Sequence, residues 1–224
     1  SVRAHYRAVD IPTSHIHDDG QIHEHIEITG AYVVDTVNFD ISGQWNIEAV
    51  VKLVDDPDLI HLHMDFMVRD TTFSPRIGDP APPSQNRTAA DVGELLELST
   101  RRPPFGAMHQ MSIHNALEER RPIVVIFATP AFCRSRLCGP VLDVVGTLLP
   151  AFSNQVEFIH IEPYSLSVLR DEGRFVLSDT AAEWGVLTEP FVFVVDSQGL
   201  VIAKFEGIVT AKEIQVVLRS IIGS

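Results

Sequence analysis

The run FATPAFCRSRLCGPV, residues 127–141, constrains the fold of this chain more than any other segment. It follows a strongly apolar stretch, 123–127, and it contains both cysteines of the chain, Cys133 and Cys138. Such a pattern, closed by glycine and proline, predicts a buried strand followed by a helix. The unpaired N–H groups and the dipole at a helix N-terminus stabilise a thiolate. We therefore expect a redox or thiol role for the pair, the alternative being two small buried apolar side chains.

Composition excludes several classes of protein. The 224 residues are 45% hydrophobic, which is enough for a packed core and argues against disorder. The net charge is −13, and an acidic chain is repelled by nucleic acid and by anionic lipid surfaces. No apolar run approaches the ~20 residues that a membrane helix needs. We therefore expect no nucleic-acid partner and no transmembrane segment in these residues.

Two regions with different hydrophobic periodicity lie on either side of a proline-rich stretch. Between 22 and 68 apolar and polar residues alternate, which predicts antiparallel strands with one solvated face. Residues 74–87 contain four prolines and show no periodicity. We expect a small antiparallel β-sandwich-like domain over 1–73, a proline-rich linker and connecting segment over 74–107, and an α/β domain over 108–224.

The α/β region predicts helices and strands in alternation. Pro140 is expected to kink the helix that follows the first strand, and Thr210 to cap the last helix. The helices are predicted over 108–120, 134–152, about 181–184 and after 210, and the strands over 123–127, 156–161, 191–195 and 200–205.

The order β-α-β-α-β-β-α, with thiols at the first strand-to-helix junction, resembles the thioredoxin fold over about 108–224. Two prolines and one glycine support the resemblance: Pro140 in the helix, Pro190 where the family has its cis-proline, and Gly207 before the last helix. It implies a central mixed sheet flanked by helices and a thiol–disulfide oxidoreductase-like protein that requires no cofactor. Cys133 would attack, Cys138 would resolve the mixed disulfide, and Pro190 would shape the groove for partner proteins bearing thiols or disulfides.

The spacing of the cysteines departs from the family's Cys-x-x-Cys. In an unbroken helix residues five apart lie ~7.5 Å apart along the axis, beyond the ~4.4–6.8 Å between Cα atoms that a disulfide tolerates. A bridge therefore requires Cys133 to precede the first regular turn, or that turn to unwind. Ile126 also stands where thioredoxins keep a buried aspartate. Some peroxiredoxins share the spacing, but Pro130 replaces their threonine, which leaves a thiol peroxidase as the lowest-ranked hypothesis.

Polar side chains near the cysteines allow two interpretations. Arg134 and Arg136 flank Cys133 and are expected to lower its pKa, unless they are simply solvated. His160 and Glu162 end the next strand and could point toward the thiols, or could form an ordinary polar pair at a strand end.

Histidines concentrate in the N-terminal region. His23 and His25 share one strand face, and His61 and His63 share another, because side chains repeat every two residues along a strand. If the two strands are neighbours, these imidazoles would suit zinc or copper(II); the alternative is an ordinary polar sheet face. The cluster supports a second hypothesis, a metal-handling or interaction protein on a degenerate thioredoxin scaffold.

Residues 32–45 resemble small extracytoplasmic immunoglobulin-like modules of the FixH and YtkA type. The shared features are a strand, Phe39, the turn Ser42-Gly43-Gln44-Trp45 and a further strand. The resemblance implies an exported protein, secreted or envelope-anchored, and we expect its signal or anchor to lie outside these residues.

Overall fold

The computed structural model describes residues 4–16, 22–34, 37–52, 57–133 and 135–222, and for 5–16 and 22–32 it describes the backbone alone. The architecture is mixed α/β. It divides into two compact units, Ser1–Tyr6 with Tyr32–Thr72, and Arg7–Ala31 with Phe73–Ser224. Strands β1 (His5–Ile16) and β2 (Ile22–Val33) pair into a two-stranded sheet.

The smaller unit contains an antiparallel pair of strands. β3 (Gly43–Lys52) and β4 (Leu59–Val68) pair in a register that sets Trp45 opposite Phe66 and Glu48 opposite His63. The ring of Phe39 packs edge-on against both aromatic side chains, with centroids 5.1 Å from Trp45 and 5.5 Å from Phe66. The strands predicted here from the alternation of apolar and polar residues are thus confirmed. The sandwich-like arrangement over 1–73 stays a prediction.

The larger unit is built on a four-stranded mixed sheet of order β6-β5-β7-β8. The central strand β5 (Ile123–Phe127) runs parallel to β6 (Glu157–Ile161) and antiparallel to β7 (Phe191–Val195), which pairs antiparallel with β8 (Val201–Glu206). All residues of β5 and β7 are buried. Strands covered on both faces have no polar alternation, which explains their continuous apolar sequences.

Helices cover both faces of this sheet. Alternate residues of β5 enter opposite cores: Ile126 packs with Leu142 and Ile214, and Val125 packs with Ile113 and Trp184. The helices are α1 (Ile113–Glu118), α2 (Cys138–Gly146), α3 (Leu149–Phe152), α4 (Leu166–Glu172), α5 (Asp179–Glu183) and α6 (Ala211–Ile222).

The four strands of the mixed sheet match the predicted ones, but β1 was not predicted and two helix predictions are wrong. The helix expected over 108–120 is interrupted, because the Ser112 hydroxyl accepts from the Asn115 N–H at 3.1 Å and caps a new helix, α1. The helix expected over 134–152 begins only at Cys138 and ends at Gly146, and α3 follows it as a separate helix. Pro140 therefore lies in the first turn, where its missing N–H leaves no hydrogen bond unmade, and it causes no kink. Helix α4, which ends at the left-handed Gly173, was not predicted.

The segment 74–107, expected to link and connect, belongs to the larger unit. Ala81 is 6% exposed and donates its N–H to the Gly199 carbonyl at 2.8 Å. The Ser84 hydroxyl accepts from the indole N–H of the fully buried Trp184 at 3.2 Å. This segment also supplies a contact to the cysteine loop, described below.

Candidate thiol site

Cys133 and Cys138 lie on either side of the start of α2. Cys133 is in the loop that follows β5, and Cys138 is the first residue of the helix. Both thiols are free; Cys138 is fully buried and Cys133 is partly exposed. Their Sγ atoms lie within 4.8 Å of each other. The helix begins late enough for the two sulfurs to approach, which is the condition that the five-residue spacing imposes on a bridge.

The backbone at the start of α2 binds the sulfur of Cys133. The Cys138 N–H donates to Cys133 Sγ at 3.3 Å, and Ser135 Oγ lies 3.2 Å from the same sulfur. The first N–H groups of a helix have no partner within the helix, so this sulfur acts as an acceptor for one of them. The pKa of Cys133 is lowered to about 5, chiefly by the hydrogen bond from the Cys138 thiol and also by Ser135, while burial opposes the shift.

The pKa of Cys138 shifts in the opposite direction. Its pKa is raised, first because its thiol hydrogen-bonds Cys133 and then because it is buried; the charge of Glu189 adds to the effect. The reduced pair is therefore one thiolate, on the accessible Cys133, and one protonated thiol, on the buried Cys138. Attack by the first sulfur followed by the second requires this asymmetry.

The arginines expected to activate Cys133 are not needed to explain its thiolate. Arg136 is exposed and adopts a left-handed conformation with φ of 63°. The hydrogen bonds from Cys138 and Ser135 are the main causes of the lowered pKa. Arg134 lies outside the described residues.

The loop before β7 brings Glu189 to the site, and Pro190 follows it directly. A carboxylate oxygen of Glu189 lies within 4.8 Å of both sulfurs, and Tyr164 Oη donates to Glu189 Oε2 at 2.8 Å. The Glu189–Pro190 peptide bond is cis, as the resemblance implies for Pro190, which is buried. Sequence reasoning missed Glu189, whose one signal was its place directly before that proline.

Cys133, Cys138 and Glu189 could hold a metal ion. Within the described ranges they form the one group of three histidine, cysteine or acidic ligands whose donor atoms all lie within 4.8 Å of one another.

The histidines predicted to bind metal are placed only in part. His61 and His63 are exposed on β4, with His61 Nδ1 3.4 Å and His63 Nε2 3.9 Å from Glu48 Oε1 on the neighbouring strand. The side chains of His23 and His25 lie outside the described part of the chain. A site built from all four stays a prediction.

Glu162 contacts the cysteine loop through Thr100. Glu162 Oε1 accepts from both the N–H and the hydroxyl of Thr100, at 2.6 and 2.7 Å. Thr100 Oγ1 in turn accepts from the N–H of Ala131, two residues before Cys133, at 3.1 Å. Glu162 thus positions the loop through Thr100. Thr100 was missed because the proline-rich composition around it indicated only a connecting segment.

The surroundings of Glu162 are buried and mostly uncharged. Burial raises the pKa of Glu162 to about 7 and is the first cause of the low pKa values of His109 and His160, about 4 and 3. His160 Nε2 lies 2.9 Å from the Ala128 carbonyl at the end of β5. Thr129 lies near enough to Glu162 to favour its ionised form, yet Thr129 Oγ1 and Glu162 Oε2 make no hydrogen bond of ordinary geometry within the described residues.

Comparison with known proteins adds no relative. A scan against protein-family models gave no match, and a search of curated proteins found no similar sequence. None of the helices in the described part of the chain is both long and apolar enough to span a membrane. The chemistry of the site is therefore argued from its own geometry.

The lowered pKa predicts how the two thiols react with an alkylating reagent. The rate of Cys133 alkylation by iodoacetamide should rise with pH about a midpoint near 5 and then level off, since the thiolate is the nucleophile. Cys138 should stay unmodified while the fold is intact, because it is buried. Mass spectrometry of peptides after timed quenching follows each cysteine separately. Ser135→Ala should move the midpoint upward, and a midpoint near the ordinary ~8.5 in the unmodified protein would contradict the assignment.

Glu162 makes stability depend on pH. Its pKa is about 7 in the folded chain and ordinarily 4.5, so between these values the folded chain retains a proton that the unfolded chain has released. Glu162 alone should therefore lower the free energy of unfolding by roughly 3 kcal/mol as pH rises across this interval. His109, His160 and Cys133 have lowered pKa values and change it in the opposite direction, so the contribution of Glu162 is the difference between the unmodified protein and Glu162→Gln. Denaturant unfolding followed by far-UV circular dichroism measures the free energy of unfolding of each protein against pH. Between pH 4.5 and 7 this free energy should rise more steeply with pH in Glu162→Gln than in the unmodified protein, whereas Glu118→Gln, an exposed carboxylate on α1, should follow the unmodified protein; equal slopes in both variants would refute the assignment.

Proposed function

We propose that this protein is a thioredoxin-like thiol–disulfide oxidoreductase in which Cys133 is the attacking thiolate and Cys138 the resolving thiol. The observation that carries the proposal is the position of Cys133 Sγ. It accepts the first N–H of α2 at 3.3 Å and lies within 4.8 Å of Cys138 Sγ. One sulfur is thus activated and accessible, and its partner is protonated and close by.

The arrangement around the cysteines supports the assignment to this fold. A mixed sheet carries helices on both faces, and the cysteines follow its central strand β5. Glu189 approaches them from the loop before β7, where its bond to Pro190 is cis, and Gly207 follows β8 with φ of 76°. The resemblance to thioredoxins rests on the cysteines, Pro190 and Gly207, and Glu189 directly precedes Pro190.

The reaction transfers two electrons from the cysteine pair to a partner disulfide. The Cys133 thiolate attacks one sulfur of that disulfide, forming a mixed disulfide and releasing the other sulfur as a thiolate, which takes up a proton. Cys138 then loses its proton and attacks Cys133 Sγ, releasing the partner as a dithiol and leaving a Cys133–Cys138 disulfide. An external dithiol must reduce this disulfide to close the cycle.

Glu189 is the proton acceptor that we assign to Cys138. In this chain Ile126 occupies the strand position where thioredoxins keep an acid, so β5 supplies no acceptor there. The Glu189 carboxylate lies within 4.8 Å of Cys138 Sγ and approaches from β7 instead. Deprotonating the buried thiol next to this carboxylate makes Cys138 nucleophilic when the mixed disulfide needs resolution.

The natural partners would be proteins with thiols or disulfides. The resemblance of 32–45 to exported immunoglobulin-like modules supports an extracytoplasmic location, where protein disulfides persist.

Variants at the two cysteines test this function. With insulin as the disulfide substrate and dithiothreitol as the reductant, in the presence of a metal chelator, Cys133→Ser should reduce insulin no faster than dithiothreitol alone. Cys138→Ser should instead accumulate a mixed disulfide between Cys133 and the substrate, detectable by mass spectrometry, because resolution is lost. Glu189→Gln should slow turnover by about 10²-fold, the usual scale for a general base. Ser167→Ala, an exposed hydroxyl on α4, is the control and should turn over normally. Unchanged activity in Cys133→Ser would refute the proposal.

A further inference from the structure

The donor atoms of Cys133, Cys138 and Glu189 converge from two separate parts of the fold. The two sulfurs come from the start of α2, and the carboxylate comes from the loop before β7. All three donor atoms lie within 4.8 Å of one another. The histidines predicted from sequence to bind metal, His23, His25, His61 and His63, are not part of this set.

The spacing suits a tetrahedral ion. Zinc binds thiolate sulfur at about 2.3 Å and carboxylate oxygen at about 2.0–2.2 Å, so tetrahedral donors lie about 3.6–3.8 Å apart. The three donors here need to move little to reach that spacing. Three protein ligands leave the fourth position for water or for a ligand atom of another molecule, as in zinc sites that are not purely structural.

The types of ligand distinguish between metals. Two thiolates alone would suit copper(I), but a carboxylate is a hard oxygen ligand and favours a divalent ion of borderline character. The carboxylate is also held in place, because Tyr164 Oη donates to Glu189 Oε2 at 2.8 Å. Second-shell hydrogen bonds of this kind orient metal ligands. One thiol is fully buried, so the group differs from the clusters of exposed acids common on protein surfaces.

We propose that the reduced protein binds one zinc ion through Cys133, Cys138 and Glu189. Binding displaces the proton of the Cys138 thiol, because the thiolate is the ligand, and Tyr164 acts as a positioning residue for Glu189. The inference goes beyond the proposed oxidoreductase and does not require it. The two share their sulfurs, so a bound ion occupies both the attacking and the resolving group, and a Cys133–Cys138 disulfide removes both sulfur ligands.

Cobalt titration of the reduced full chain tests the site, since Co²⁺ replaces zinc and reports thiolate ligation in its absorption spectrum. One equivalent should produce a sulfur-to-cobalt charge-transfer band that Zn²⁺ then abolishes by displacement. Cys138→Ser should lose most of this band. Glu189→Gln should weaken zinc binding at least about tenfold, the lower end of what even second-shell changes cost. Glu172→Gln, a half-exposed carboxylate on α4, and His61→Ala should leave the titration unchanged.

Two results would overturn the proposal. The first is the absence of a charge-transfer band at saturating Co²⁺. The second is a site that prefers copper(I) and binds it equally well in Glu189→Gln, which would make it a two-thiolate copper site. The reductase assay contains chelator, so its outcome is independent of metal binding. If the unmodified protein binds no zinc, its reductase activity is still expected. If it shows no reductase activity, the cobalt charge-transfer band is still expected.

Discussion

The hydrogen bond from the Cys138 N–H to Cys133 Sγ is the interaction on which the rest of the site depends. It exists because α2 begins at Cys138, so the helix offers an unpaired N–H where the loop delivers a sulfur. The same late start lets two cysteines five residues apart approach within 4.8 Å. Activation of one thiol and proximity of the other thus have a single structural cause.

The loop that carries Cys133 is held from outside the cysteine segment. The Ala131 N–H donates to Thr100, which donates to Glu162 at the end of β6. Glu162 and the neighbouring His109 and His160 are buried, and such groups are costly to bury unless they are hydrogen-bonded or neutral. The larger unit thus retains buried polar groups, and Thr100, from the segment 74–107, hydrogen-bonds both Glu162 and the loop that carries Cys133.

How much could be predicted from sequence differs from element to element. Strands β5 and β7 were predictable because continuous apolar runs bounded by turns have one stable place, the middle of a covered sheet. The start of α2 was not, because Pro140 indicates a kink within a helix and equally a first turn, and only packing decides which. The five-residue spacing shows that a Cys133–Cys138 disulfide requires the helix to begin after Cys133 or its first turn to unwind. It does not show where the helix begins.

Only the site residues that a local sequence pattern or the resemblance marks could be predicted. Cys133, Cys138 and Pro190 are identifiable from local spacing and from the resemblance. Glu189 reaches the thiols through tertiary contacts. Thr100 reaches the loop that carries Cys133 in the same way, through the N–H of Ala131, 31 residues away along the chain. A carboxylate before a proline and a threonine in an irregular segment carry no signal of their own. Sequence reasoning therefore placed metal binding on paired histidines, where the two-residue repeat of a strand is visible, and missed the set beside the cysteines.

The late start of α2 should let Cys133 and Cys138 form a disulfide bond. Equilibrating the native protein in glutathione redox buffers of increasing oxidation, then quenching with acid and alkylating, tests it by mass spectrometry. We expect the chain to lose two hydrogens and Cys133 and Cys138 to appear in one disulfide-linked species, with glutathione bound only transiently. A chain that remains a dithiol, or that carries stable glutathione on Cys133 with Cys138 still free, would contradict it.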